Sequence, residues 1–201
     1  MEKNDSFSIG QRIYIPFKRF FDIFFSFIFL AALSPFLLIV SIIVWIDTKG
    51  FPIFRQKRIG KNDKEFMILK FRSLKKIAPN SVPSHYFDDH QQYMTSFGRF
   101  IRKTSIDELP QLINILIGQM SMIGPRPILW NEKDFIEKRK RYKIHKIQPG
   151  LTGWAQINGR NLISTEEKIA YDLEYLRHFS IWLDIKIFFI TIKYVFTQKN
   201  V

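Results

Sequence analysis

Residues 23–46 are a run of 24 without a charged side chain, bracketed by Asp22 and Asp47. As a helix the run would measure roughly 36 Å, against about 30 Å for the hydrocarbon core of a bilayer. A fold containing it must bury it completely or give it to lipid. It is not a secretory signal, because it is too long and lacks a small-residue cleavage site after a short apolar core. Pro35 sits at its middle, preceded by Ser34. Proline removes one helical hydrogen bond and crowds the preceding turn, so a kink or break is expected at Ser34–Pro35. The Ser34 hydroxyl could satisfy a carbonyl freed there. Each half, about 17 Å long, is too short to cross alone.

Charge bears on topology. Arg12, Lys18 and Arg19 precede the run, and Lys49, Arg55, Lys57, Arg58, Lys61 and Lys64 follow it. A crossing helix ordinarily has one flank poor in Lys and Arg. Two basic flanks favour a re-entrant helix that enters the cytoplasmic leaflet, turns at Ser34–Pro35 and leaves on the same side; the alternative is a kinked single crossing. The whole chain of 201 residues carries 31 Lys and Arg against 18 Asp and Glu, a net +13, which calls for an anionic partner. Twenty-one phenylalanines, gathered in the apolar segments, favour anionic membrane lipid over nucleic acid, and there is no nucleic-acid recognition motif. Cysteine is absent, which excludes a disulfide framework, a cysteine nucleophile and a thiolate metal site.

The remainder is mixed, and the expected class is α+β, mainly helical. Three segments follow: an interfacial stretch at 1–22, the membrane helix at 23–46, and a compact cytosolic catalytic domain with short strands and interfacial amphipathic helices at 47–201. Residues 51–54 and 66–71 read as strands around a turn at 60–63. Residues 49–76 hold ten Lys and Arg against two acids, either a solvated face or a lipid-facing basic collar. Residues 78–89 read as a loop, 88–102 as a helix, 132–145 as a basic helix, 148–160 as a turn-rich loop and 165–179 as a helix. Residues 181–196 are apolar but carry Asp184, Lys186 and Lys193; the lysines are seven apart, as in an interfacial helix with snorkelling cations.

The chemistry concentrates at residues 105–127. Asp107 and Glu108 are adjacent carboxylates just after Arg102 and Lys103, and Arg126 stands between Pro125 and Pro127. Ser105 with Glu108 fits a capping box at the start of a helix, with Asp107 favouring the helix dipole. Pro110 argues against that box and is better placed as the first residue of a helix ending near Gly118, leaving the carboxylates on a turn free to face a ligand. Two prolines hold Arg126 extended, ready for bidentate binding of phosphate; the alternative is a loop packed against the membrane. His85, His90, His145 and His178 lack metal-ligand spacing. The Gly-rich nucleotide cradles are absent, so a nucleotide would be held by arginines, a metal and irregular loops.

The chain resembles the bacterial sugar transferase family of polyprenyl-phosphate phosphoglycosyl transferases, and among them the small monotopic members. The resemblance is carried by Lys18-Arg19-Phe20-Phe21-Asp22, Ser34-Pro35, Lys70-Phe71-Arg72-Ser73, the stretch from Thr104 to Gln111, that from Met120 to Pro127 and that from Pro149 to Arg160. Arg72-Ser73 stands where relatives have Lys-Thr. The resemblance implies transfer of sugar 1-phosphate from a UDP-sugar to polyprenyl phosphate, releasing UMP, with Mg²⁺, at the cytoplasmic face of the bacterial inner membrane. It implies Asp107 as nucleophile and Glu108 as its partner, both near the metal, with Lys70, Arg72, Arg102, Arg126 and Arg160 on phosphate. A homodimer is open. A metal-dependent UDP-sugar hydrolase and a non-catalytic membrane scaffold are the rival readings.

Overall fold

The computed structural model describes residues 7–75, 93–159 and 163–197. Its longest element is helix α1, Ile9–Thr48, 40 residues. Ser8 caps it: the hydroxyl accepts from Gln11 N, and Gln11 Oε1 accepts from Ser8 N at 2.9 Å, the reciprocal pair of a capping box. The expected helix–break–helix at Ser34–Pro35 is not present. The helix continues through both Pro16 and Pro35, and it takes in the stretch before residue 23 as well. The physical reason is local. Pro35 has no N–H for the carbonyl of Ala31 four residues back, and the Ser34 hydroxyl donates to that carbonyl at 2.8 Å instead. The orphaned acceptor is satisfied without opening the helix.

One stripe of α1 is buried: Gln11, Asp22 and Ser26 before the proline, and Val40, Val44 and Thr48 after it. Ser34, Pro35 and Phe36, between them, are exposed. The N-terminal arm packs Phe29 and Leu30 onto Phe66, Ile68, Leu112, Ile115 and Met120. In the other arm Val40 and Val44 join Phe71 and Ile101. Both arms therefore rest on the same folded body. The opposite side of the helix exposes Phe17, Phe20, Phe27, Leu38, Trp45 and Ile46. Among the described residues α1 is the one helix long and apolar enough to cross a membrane.

Strands β1 (Ile53–Ile59) and β2 (Glu65–Phe71) form an antiparallel hairpin, with Ile53 opposite Phe71 and Ile59 opposite Glu65. Its turn, at 60–63, holds Asn62 and Asp63 at φ of 54° and 60°. The first strand begins two residues later and runs five residues further than the sequence pattern indicates, because pairing with β2 continues through its basic half. Of the helix expected at 88–102, residues 88–92 lie outside the described residues; helix α2 covers Ser96–Lys103, Thr95 caps it through a bond from Gly98 N, and Met94 is instead bridged to Leu74. Residues 78–89 lie outside the described residues.

A 3₁₀ turn at Ile106–Glu108 leads into α3, Gln111–Leu116, with Pro110 at its N-cap. Strands β3 (Ser121–Ile123) and β4 (Ile128–Leu129) follow, then α4, Lys133–Arg141, shorter than the expected 132–145 and succeeded by a 3₁₀ turn at Ile144–Lys146. Strand β4 completes a sheet in the order β2-β1-β4. The stretch expected as a turn-rich loop contains β5 (Gly150–Thr152), parallel to β3, and a short helix α5 (Trp154–Ile157). Its glycines serve backbone contact more than turning. A Cβ on Gly124 would stand 2.4 Å from the Gln148 carbonyl, and one on Gly150 2.1 Å from Gly124 N. Helices α6 (Thr165–His178) and α7 (Ile181–Thr197) close a second core around Ile123, Ile157, Tyr175, Phe179 and Ile187.

Two glycines test this reading with opposite signs. Gly124→Ala drives a methyl into backbone and is expected to cost about 3 kcal/mol or more. Gly10→Ala, in the open first turn of α1 with nothing within 4 Å, is expected to stabilise by up to about 1 kcal/mol. Thermal unfolding of the detergent-solubilised variants checks both; equal effects would contradict the crowding.

Candidate active site

Ser105, at φ 58° and ψ 15°, reverses the chain after α2, and its side chain makes no cap hydrogen bond. The capping-box alternative is therefore not what this turn forms. The reversal instead places Asp107 and Glu108 beneath β2 and the loop at 124–127. Strand alternation puts Lys70 on the same face as Phe66 and Ile68, the face toward α3. Lys70 Nζ reaches Glu108 Oε1 at 2.7 Å, and Arg126 NH2 reaches the same oxygen at 2.9 Å. Pro125 and Pro127 are buried while Arg126 projects outward between them, the arrangement the two prolines predict.

The two carboxylates are in different states. Burial opposes ionisation of Glu108, but Arg126 and Lys70 outweigh it and hold its carboxyl well below the usual range. Asp107 is only 7% exposed and its carboxylate has no hydrogen-bond partner among the described residues. Burial, and then the charge of Glu108, push its pKa up to about 6, with Lys70, Arg102 and Arg126 pulling the other way. Among the described residues the site thus holds one carboxylate neutralised by two cations and one without a direct partner.

Arg102 belongs to the cluster: burial lowers its pKa, and the nearby charges of Asp107 and Glu108 raise it. Its Nε donates to Ser73 Oγ at 2.7 Å, so Ser73 aims it. Arg72 is not brought to the dyad. Its Nε donates to the Phe51 carbonyl at 3.0 Å and its guanidinium lies over the Phe54 ring, tying the end of β2 to the start of β1. Arg160 lies outside the described residues.

Three contributors were not singled out from sequence. Arg58 NH1 donates to the Pro127 carbonyl at 3.1 Å and NH2 to Gln56 Oε1 at 2.7 Å, which fixes the loop carrying Arg126. Burial, then Arg126, lower its pKa to about 10. The alternation Gln56-x-Arg58 puts both side chains on one strand face and was the available signal. Ser73 stood in the motif with Lys70 and Arg72 without a role of its own, and Asn114 gave no signal, since their roles depend on packing between distant segments. Among the described residues no group of three or more His, Cys, Asp or Glu could hold a metal by itself.

A long apolar helix docked on a small α+β body, with a buried carboxylate pair ringed by Lys and Arg, defines a membrane-associated protein with a site suited to phosphate. The chain belongs to the bacterial sugar transferase family, whose model matches residues 13–198. It is 40% identical over 193 residues to an undecaprenyl-phosphate glucose phosphotransferase of Komagataeibacter xylinus, covering 91% of this chain and 36% of that protein. It is 40% identical over 190 residues to the UDP-glucose:undecaprenyl-phosphate glucose-1-phosphate transferase of Escherichia coli (strain K12), covering 90% and 40%. Against the sugar transferase EpsL of Bacillus subtilis (strain 168) it is 38% identical over 187 residues, covering 92% and 89%. The chain thus spans well under half the length of the two glucose phosphotransferases.

The state of Asp107 has a consequence for stability. Its pKa in the fold lies above the ordinary 3.8, so between about pH 4 and 6 the folded state holds a proton that the unfolded chain releases. The stability this group contributes is present at low pH and lost as pH rises through about 6. Asp107→Asn is expected to be more stable than the wild type at pH 7.5, by on the order of 1–3 kcal/mol, with the gap closing toward pH 4. Thermal melts across that range in EDTA check it; a less stable variant at pH 7.5 would contradict the assigned burial cost.

Proposed function

We propose that this protein transfers sugar 1-phosphate from a UDP-sugar to undecaprenyl phosphate, releasing UMP, in two steps through a phosphosugar-aspartyl intermediate. The observation that carries the reading is the unpaired, buried Asp107 carboxylate beside a Glu108 already neutralised by Lys70 and Arg126. The names of the glucose phosphotransferase relatives support the donor and acceptor classes.

In the first step an Asp107 carboxylate oxygen attacks the sugar-bearing phosphorus. The Asp O–P bond forms, the phosphoanhydride bond breaks, and UMP leaves with the electron pair. In the second, a phosphate oxygen of the lipid attacks the same phosphorus, the Asp O–P bond breaks, and the carboxylate is restored. One high-energy phosphate linkage replaces another throughout. Lys70, Arg102 and Arg126 offset negative charge on the phosphates, the main protein contribution in such reactions. Both cations meet Glu108 at Oε1, and Oε2 has no hydrogen-bond partner among the described residues. Two carboxylates, one with an oxygen not so engaged and with no third acid beside them among the described residues, suit Mg²⁺, which commonly takes one or two carboxylates and completes its shell with substrate phosphate and water. Asp107 and Glu108 would hold it, and when bound it would lower the charge of the diphosphate.

The same geometry supports a membrane arrangement. Residues ahead of the apolar run touch the folded body: Gln11 Nε2 donates to Leu176 O at 3.0 Å and Lys18 pairs with Asp184 at 2.5 Å. Val44 near its end and Thr48 after it are buried as well. A helix crossing the bilayer would carry one flank away from that body. We therefore infer a re-entrant α1 at the cytoplasmic face of the inner membrane, with its exposed centre deepest in lipid. The exposed Trp182, Ile185, Phe189 and Ile192 of α7 would lie at the same interface, and the exposed Arg55, Lys57, Lys61 and Lys64 would meet anionic headgroups.

In nanodiscs containing undecaprenyl phosphate, the wild type is expected to release UMP from its UDP-sugar and to gain the mass of a sugar phosphate when the acceptor is omitted. Asp107→Asn should lose both, with turnover reduced by about a thousandfold or more. Sustained multiple turnover without acceptor would identify a hydrolase, and wild-type turnover in Asp107→Asn would refute the nucleophile. For topology, Ile9→Cys and Asn62→Cys are both expected to react with an impermeant maleimide only from the cytoplasmic face; labelling of Ile9→Cys from the outside would establish a crossing.

A further inference from the structure

Asn114 is 1% exposed and lies on α3, six residues beyond Glu108. Its amide bridges to β2. Oδ1 accepts from Leu69 N at 3.0 Å, and Nδ2 donates to the Met67 carbonyl at 2.8 Å. Nδ2 also donates to Gln119 Oε1 at 2.7 Å. The Met67 and Leu69 groups lie on the edge of β2 away from β4, where no further strand pairs among the described residues. Asn114 therefore stands in for a neighbouring strand, and it does so at the residue immediately before Lys70. Its own carbonyl accepts from Gln119 N at 2.9 Å and Met120 N at 3.2 Å, which ties the end of α3 to the start of β3.

Register is what this contact controls. Lys70 reaches Glu108 only if β2 sits at one height along α3, and a slip of one residue would turn its side chain to the other face. Apolar packing of Phe66 and Ile68 on Leu112 and Ile115 is not directional and tolerates small slides. A planar amide bonded to both an N–H and a carbonyl of the strand edge does not. We propose that Asn114 is a positioning residue for the transfer reaction: it sets the register between β2 and α3 and thereby holds Lys70 on Glu108, beside Asp107. It touches neither the dyad nor Lys70's ammonium in this structure. The assignment of its effect on catalysis rests on Asp107 as nucleophile; the effect on Lys70 does not.

The test uses Asn114→Ser, which keeps a small hydrogen-bonding group, and Asn114→Ala, both in nanodiscs. Lysine accessibility is read by brief acetylation and mass spectrometry. Lys70 acetylation is expected to rise severalfold in both variants. Lys18, equally buried but paired with Asp184 far along the chain, and the exposed Lys133 should be unchanged. The rate of UMP release in the first half-reaction should fall severalfold in both variants, with the UDP-sugar concentration for half-maximal rate little changed. On a Lys70→Met background, Asn114→Ser should cause no further loss, because Asn114 acts through Lys70. Equal rises at Lys70 and Lys18 would mean general loosening and overturn the proposal. So would unchanged Lys70 labelling, or a loss of rate as large on the Lys70→Met background as on the wild type. If Asp107→Asn remained active, the transfer reading would fail while the labelling result still decided the placement of Lys70.

Discussion

Three separate parts of the chain meet at one oxygen atom. Lys70 arrives from a strand, Arg126 from a proline-bounded loop, and Glu108 from a 3₁₀ turn, and both cations bond Oε1. Each part is set by other contacts: the strand by its hairpin partner and Asn114, the loop by Arg58, the turn by the left-handed Ser105. Such a buried ionic cluster adds little to stability relative to a well-packed apolar one, because desolvation offsets most of the attraction. Its value is geometric. It holds an adjacent, unpaired carboxylate among fixed cations, where a phosphate can be met without reorganisation.

The anchor is built into this arrangement and not merely attached to it. Arg19 of α1 donates to the carbonyls of Ile115 and Leu116, at 2.6 and 3.0 Å, at the C-terminal end of α3, where a cation also opposes the helix dipole. Asp22 accepts from Met122 N of β3 at 2.9 Å. Helix α3 thus has the membrane helix at one end and the carboxylate turn at the other. At the far side, Asp184 of α7 gathers Tyr14, Lys18 and Tyr175, joining the two helices with the most exposed apolar surface. The long apolar helix and the carboxylate site are consequently tied together by one set of contacts.

What could be read in advance follows from range. The apolar run, the hairpin, the terminal helices, the role of Ser34 and the outward Arg126 depend on neighbours within a few residues, and periodicity, charge and proline report those. The continuity of α1 was missed because proline alone argues for a break, and the Ser34–Ala31 bond that repairs the ladder was weighed only as support for one. The parallel pair of β3 with β5 was missed because glycines at 150 and 153 look like turn residues, whereas a partner strand 29 positions away needs the missing side chains (Ser121 opposite Gly150). Arg72 was misplaced for a related reason. The family resemblance put it on phosphate with Lys70, but the strand ends at Phe71, and the next side chain turns back to the Phe51 carbonyl.

The dyad's asymmetry also bears on why a covalent route suits this site. A nucleophile must be ionised, yet an ionised, buried carboxylate without a partner is costly. Full pairing would lower its energy and its reactivity together. Here the cations are spent on Glu108, and Asp107 is held where their charge reaches it without a direct bond. A phosphate entering the site brings the negative charge those cations lack, and the carboxylate is then the one group within the cluster not already engaged. In the proposed reaction the lipid substrate is confined to the plane of the membrane and the nucleotide sugar is in water, and such a residue would accept the sugar phosphate from the nucleotide and hold it for the lipid. The two substrates would then never have to be bound at once.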